Sequence, residues 1–360
     1  MIRKFKYLAI GLSFAAFSGM ASASTTACET ILRDISNGSC NASCAASYKT
    51  SQPECFPGGA APSAQQIMGT SFQMVSAVSS ALSGRFLGSG PVMSGDAKQQ
   101  TGMAAGGASQ RWNVWVSDTG SSLKYDASSL SAGSKSTSNV NNFVLGGDYR
   151  FSPSLVAGVS AAIDNGSGNL QGTQSVSTNG YSIAPYLGWQ INKNWALDAS
   201  IGWGAGKGTV AGNSKTDSDR FFLGSNLSYT QWFGKWQVAG KGSYLSSVED
   251  VGDVKYNGTT AANTASKNKL DQLRLGVEAG YWMNGFMPYA GIAYSQDLRR
   301  SSSVADSANA PWDKSAFVFT LGANFFSLSN NVTGGIAYNQ EASRSYSKNS
   351  SLTANINFRF

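Results

Sequence analysis

From Arg111 to Phe360 apolar residues recur at every second position. Twelve segments carry the pattern: 111–118, 140–151, 154–163, 176–190, 195–206, 219–233, 236–248, 271–283, 286–296, 313–328, 332–341 and 349–360. A spacing of two is that of a strand whose successive side chains point to opposite faces. One parity is apolar, as in Leu155/Ala157/Val159/Ala161/Ile163 and Trp195/Leu197/Ala199/Ile201/Trp203. The other is small or polar. The charges inside these segments are Asp148, Arg150, Asp198, Arg220, Lys241, Arg274, Glu278 and Arg359, and all lie on the parity opposite the apolar one. Asp219, Asp271 and Asp313 share the apolar parity, but each falls at the start of its segment. A soluble sandwich also alternates, but it hides its apolar face in a protein core. Here the polar face is Gly, Ser, Ala and Asn with charges of both signs. That suits the wet interior of a closed barrel whose apolar face meets lipid, with the eight charges facing the lumen. An Arg or Lys on the lipid face at mid-membrane costs about 2–4 kcal/mol, so the segregation is physically enforced.

The connections alternate as well. Tight turns at Ser152-Pro153-Ser154, Asn192-Lys193-Asn194, Gly234-Lys235, Asn284-Gly285 and Ser329-Asn330-Asn331 exchange with the longer stretches 119–139, 164–175, 207–218, 249–270, 297–312 and 342–348. Short turns on one rim and long loops on the other describe a bacterial outer-membrane barrel, with its short side periplasmic. Aromatics gather near the short turns (Phe151, Trp189, Trp195, Phe233, Trp236, Trp282, Phe286, Phe325, Phe358, Phe360). A second set lies toward the long loops (Trp203, Phe221, Tyr244, Tyr294, Trp312). These are the expected interfacial girdles. Open sheet edges are not tolerated in lipid, so the first segment must pair with the twelfth. The predicted fold is an all-β membrane protein, a 12-stranded antiparallel barrel spanning 111–360.

Upstream, residues 63–110 read as a helix followed by a Gly/Ser-rich linker. Ser63 and Gln66 form a candidate capping box, and Ala64, Met68, Phe72, Val75, Val78 and Leu82 repeat at helical spacing up to Gly84. The intervening serines and glutamine make this helix too polar for lipid, so its natural place is the lumen. Residues 1–23 read as a secretory signal: Arg3, Lys4 and Lys6, an apolar run from Tyr7 to about Phe17, then Ala21-Ser22-Ala23. Between them, residues 24–62 form a small Cys-rich segment holding every cysteine of the chain: Cys28, Cys40, Cys44 and Cys55. In an oxidising compartment these four are disulfide candidates, with three connectivities open. A four-thiolate zinc site is the alternative, but the spacing lacks paired C-x2-C knuckles.

Composition narrows the chemistry. Charged residues are 13%, and glycine supplies 41 of 360 positions. Histidine is absent, which removes His-based triads and His-ligated metals. The net charge of +7 is thinly spread and makes no nucleic-acid footprint. Loop carboxylates Asp217/Asp219 and Asp250/Asp253 read as solvated loops. The glycines of Gly202-Trp203-Gly204-Ala205-Gly206-Lys207-Gly208 lie on a strand without a following helix, so they are discounted as a phosphate loop. No catalytic residue, cofactor or metal is expected, and the chain is not expected to be an enzyme.

Taken together, the C-terminal barrel, the helix before it, the Trp-bearing opening segment Arg111-Trp112-Asn113-Val114-Trp115-Val116 and the closing segment Ser351–Phe360 resemble the translocator domain of autotransporters (type V secretion). The last segment ends in a terminal Phe, and Ile356, Phe358 and Phe360 are similar to the signal read by the outer-membrane barrel assembly machinery. The resemblance implies outer-membrane lipid and that machinery as partners, a Gram-negative outer-membrane location and a monomeric barrel. It also implies a passenger, yet only residues 24–62 precede the helix. Residues 56–110 contain no Asn at which some members of the family cleave, so the passenger is expected to stay attached. Arg150, Arg274, Lys241, Asp148, Asp198 and Glu278 are expected to meet the polar stripe of the helix. The alternative is a stand-alone outer-membrane pore or surface-binding protein that uses loops 249–270 and 297–312, with the Cys-rich segment periplasmic.

Overall fold

A computed structural model describes residues 26–51, 61–86, 110–126, 135–170, 174–210, 214–302, 313–327 and 331–360. The signal segment 1–23, Cys55 and Trp312 lie outside them. Three helices come first: α1 (Thr26–Ser36), α2 (Ala42–Ser51) and α3 (Ala61–Phe86). Twelve long strands follow: β1 (Trp112–Asp126), β2 (Lys135–Ser152), β3 (Leu155–Leu170), β4 (Gln174–Gln190), β5 (Trp195–Val210), β6 (Ser214–Phe233), β7 (Trp236–Val251), β10 (Ser266–Tyr281), β11 (Phe286–Ser302), β12 (Ser315–Ser327), β13 (Val332–Ala342) and β14 (Ser347–Arg359). A small hairpin, β8 (Val254–Tyr256) and β9 (Thr259–Ala261), interrupts the loop between β7 and β10.

Each long strand pairs antiparallel with its neighbours, and β5–β6 and β1–β14 complete the ring. The β1–β14 seam runs from Asn113↔Arg359 to Tyr125↔Ser347. It is finished by reciprocal backbone bonds between Trp112 and Phe360, at 3.0 and 3.1 Å. The cylinder therefore has no free edge among its twelve strands, as a hydrocarbon surround demands.

Large apolar residues stand outward along alternate positions, among them Val159, Ile163, Ile183, Leu187, Leu223, Leu275, Val277, Leu321 and Ile336. Trp112, Phe151, Trp189, Trp195, Phe233, Trp236, Phe286, Phe325, Phe358 and Phe360 project outward near the short turns. Edge-on pairs such as Trp112–Tyr149 (4.9 Å) and Trp236–Tyr281 (5.1 Å) join neighbouring strands there. Trp203, Phe221, Tyr181, Tyr294 and Phe317 form the outer ring. Ile356 is half-buried, while Phe358 and Phe360 face out from the closing strand.

The strands run further toward the long loops than alternation alone predicts. β1 continues to Asp126 instead of stopping at 118, and β2 begins at Lys135, where a loop was expected until 139. Beyond the lipid boundary both faces of a strand are wet. The apolar code then lapses while the backbone ladder continues. Asp219 and Asp271 accordingly sit five residues inside β6 and β10, not at strand starts. Asp271 pairs outward with Arg299 at 2.9 Å. Helix α3 also exceeds its expected span, starting at Ala61 and passing Gly84 to end at Phe86. The side chains of Ser63 and Gln66 lie outside the described residues.

Candidate functional site

The inside of the cylinder holds α3. Its Met74, Val75, Val78, Ala81 and Leu82 are almost wholly buried and form one cluster with inward residues of the wall: Trp115, Val144, Val156, Tyr186, Phe222 and Leu245. The inward parity is therefore not uniformly small or polar, which corrects the sequence expectation. A helix with an apolar stripe needs an apolar partner, and the β1–β7 half of the wall supplies one. Glycines make the fit. A Cβ at Gly146 would lie 2.2 Å from the Trp115 ring, one at Gly202 2.1 Å from the Phe222 ring, and one at Gly224 2.4 Å from Val75. Part of the glycine excess, Gly202 of the discounted cluster included, thus clears space for inward rings and the helix.

Polar contacts fix depth and direction. Near the long-loop end, Asn142 Nδ2 donates to the Thr70 carbonyl (3.2 Å) and Ser247 Oγ to Ser71 Oγ (3.3 Å). Gln73 Nε2 donates to Ser121 Oγ at 3.1 Å. Nearer the short-turn end, the Ser79 hydroxyl donates to Asp198, whose carboxylate also accepts from Asn226 at 2.7 Å. The N-terminal part of α3 therefore lies toward the long loops, and its C-terminus points toward the short turns, where β1 begins. Gln73, Ser76, Ser79, Ser80 and Ser83 face a cavity of about 400 Å³ bounded on its other side by strands β10–β14.

Of the six charges expected to hold the polar stripe, two touch the helix among its described side chains. Asp198 meets Ser79, and the Arg274 guanidinium lies 3.9 Å over the ring of Phe72. Three others are engaged by the wall. Asp148 accepts from Asn113 (2.9 Å) and from Tyr186 (3.0 Å), whose hydroxyl in turn accepts from Trp115 Nε1 at 2.8 Å. Lys241 and Glu278 pair at 2.7 Å on the cavity side. Arg150 is half-buried at the short-turn end of β2. Arg220 is clamped between Asp164 (2.7 Å) and Glu249 (3.2 Å), with all three side chains nearly inaccessible, and Asn268 donates to Glu249 at 3.3 Å. Arg359 reaches Thr333 Oγ1 at 3.4 Å. The Arg220 cluster carries the physics of a buried ion group: two carboxylates about one guanidinium, with hydrogen bonds completing the set.

Sequence reasoning missed Asp164 and Glu249 because both were assigned to loops, where parity was not applied. It also missed Asp297, which accepts from Gln272 (2.7 Å), Arg300 (3.1 Å) and Arg344 (3.3 Å). The pairing of β10 with β11 slips between Asp271 and Gln272, leaving Leu298 opposite no residue. That bulge turns both Asp297 and Arg300 inward, which strict alternation forbids.

At the long-loop end, the Cys-rich segment folds as α1 and α2, two helices that the sequence reading did not foresee. Cys40 and Cys44 form a disulfide across 5.3 Å between their Cα atoms, which removes both thiolates from any zinc site. Asn41 caps α2 by accepting from the Cys44 N–H at 3.0 Å. The Cys28 and Cys55 side chains lie outside the described residues. Among the described residues no group of three or more Cys, Asp or Glu is arranged to hold a metal.

A closed cylinder of twelve antiparallel strands, oily outside and threaded by a helix, defines a transmembrane barrel with an internal segment of its own chain. The autotransporter beta-domain family model matches residues 114–339, and the chain belongs to that family. It is similar in fold to the translocator domain of NalP from Neisseria meningitidis, at 11% identity, covering 69% of this chain and 89% of that one with a TM-score of 0.58. It is likewise similar to the beta domain of BrkA from Bordetella (13%, 69% and 100%, 0.54) and the transport unit of AIDA-I from Escherichia coli (12%, 78% and 98%, 0.51). Among curated proteins none matches this sequence. The chain is a Gram-negative outer-membrane β-barrel of the translocator type.

Proposed function

We propose that this barrel carries its own N-terminal segment across the outer membrane and keeps it there, as a short attached passenger at the cell surface. The observation that carries the reading is the polarity of α3. Its Thr70 and Ser71 meet the long-loop side of the wall and its Ser79 meets Asp198 near the short turns. Short turns are periplasmic in outer-membrane barrels, so a segment preceding α3 emerges on the outside. The cysteine usage supports an oxidising destination. Insertion proceeds through the barrel assembly machinery, which reads the closing strand with Ile356, Phe358 and Phe360, and the barrel works as a monomer. The reading assigns the chain a translocating and anchoring role without catalysis.

The test is an epitope tag at position 26, probed with antibody on intact cells. Labelling equal to that of a known surface loop is expected. Protection until the outer membrane is breached would overturn display and favour a periplasmic segment on a stand-alone pore.

A further inference from the structure

The loop between β7 and β10 is built, not slack. Its turn is Asn257-Gly258, with φ of 47° and 88°, the type I′ geometry that suits a tight hairpin. Its base is sewn by Asp253, whose Oδ1 accepts from the N–H groups of Thr264 and Ala265, each at 2.8 Å. The Val254 N–H donates to Thr264 Oγ1 at 2.7 Å. The hairpin is tied down to β6 by the Ser214↔Tyr256 and Lys215↔Lys255 pairings and by Lys255–Asp217 at 3.1 Å. Yet Val254 and Ala261, in a loop far from lipid, are 1% and 0% exposed.

What covers them is α1. Ile31, Leu32 and Ile35 of that helix form one buried cluster with Cys40, Ala45, Val254, Tyr256 and Ala261. Each side lacks what the other provides. Helices α1 and α2 have 11 and 10 residues, below the ~12–15 at which an isolated helix becomes even marginally stable in water. The three-residue strands of the hairpin cannot bury their own apolar side chains either.

We propose that the β8–β9 hairpin is the seat on which residues 26–51 fold and remain fixed, so that this segment caps one side of the barrel mouth rather than swinging free on its tether. The proposal rests on the display reading only for the side of the membrane on which the cap stands. It gives the long loop an occupant from its own chain, which removes Val254, Tyr256 and Ala261 from any surface offered to outside partners.

The experiment is hydrogen exchange followed by mass spectrometry on the purified full-length chain in detergent, with disulfides intact. The reporters are the amides of residues 29–36. Val254→Asp places a carboxylate in the cluster, and exchange in α1 is expected to quicken by about tenfold or more, while amides of β7 and β10 within the barrel stay protected. Replacement of residues 253–264 by a Gly/Ser turn guards against a local misfolding effect of the first variant and should do the same. Thr260→Asp, on the exposed face of the hairpin, should leave α1 unchanged. Unaltered α1 exchange in the first two variants, or equal acceleration by Thr260→Asp, would overturn the proposal. Surface labelling of the tag combined with an α1 indifferent to the hairpin sinks docking alone; a tag hidden in intact cells sinks display alone.

Discussion

Placing a carboxylate at Val78 tests whether the apolar stripe seats the helix. Val78 is fully buried, between Met74, Val75 and Leu82 of its own helix and the inward residues of the wall. Burial of such side chains is worth about 1.5–3 kcal/mol each, so Met74, Val75, Val78 and Leu82 together hold α3 by at most about 6–12 kcal/mol, an upper bound because the undocked helix keeps some cover. Val78→Asp removes one of these contributions and leaves a charge without a partner, a change of about 3–5 kcal/mol. That takes away roughly half of the docking free energy and raises the undocked fraction by on the order of 10²–10⁴. The assay is conductance of the purified barrel in planar bilayers. The wild-type chain is expected to be quiet. Val78→Asp should show brief openings, orders of magnitude more frequent than in wild type, each at a conductance close to that of a chain lacking residues 63–84. Ser80→Asp puts the same charge on the exposed, cavity-facing side of the helix and should stay quiet. If Val78→Asp were as silent as wild type while deletion of 63–84 opened the pore, the apolar stripe would not be the seat. If the deletion were silent too, α3 would not be what blocks conduction.

Three further variants probe the wall. Arg220→Met leaves Asp164 and Glu249 buried without their shared cation; a loss of about 3–5 kcal/mol is expected, read as a lower urea midpoint for the shift from folded to unfolded mobility on unboiled gels. Lys241→Met with Glu278→Gln breaks a pair whose lysine is 45% exposed to the wet cavity, so the stability read from the same midpoint should change by less than about 1 kcal/mol. Deleting Phe360 removes an outward aromatic and the reciprocal backbone bonds to Trp112; the fraction of chain recovered in the outer membrane should fall several-fold with periplasmic breakdown, and undiminished recovery would show that assembly does not read this end.

How much of this was legible depends on what each residue faces. Lipid punishes a misplaced charge, so the parity of Asp148, Arg220 or Arg274 was readable without coordinates. Nothing comparable acts above the lipid, where the strands of Asp164 and Glu249 outran their apolar signature. Trp115, Tyr186 and Phe222 stand on the face that was read as small or polar. Their reason is α3, which no period within a strand reveals. The bulge at Leu298 defeated alternation outright, because a single extra residue resets the parity. The hairpin was different: alternating residues around Asn257-Gly258 are a short-range turn signal present in the sequence, overlooked because the stretch was read as one loop. Helix α1 does carry a helical period, with Cys28, Ile31, Leu32 and Ile35 spaced i, i+3, i+4 and i+7, overlooked because the segment was read only as a disulfide framework; α2 has too few apolar positions to show one. Their partner lies more than 200 residues away.

The half-filled lumen makes the two sides of the cylinder unequal. Inward positions on β2, β4 or β6 are cast to the outline of a helix, down to glycines that admit no methyl group. Inward positions on β12 and β13 line the cavity, and polar ones bond along the wall rather than to the helix: Thr320 donates to Asn339, which donates on to Ser351. Mutational tolerance should therefore split along the barrel axis. An engineer wishing to graft a new lining, a fluorophore or a wider bore has one bank of strands to rewrite and another to leave untouched.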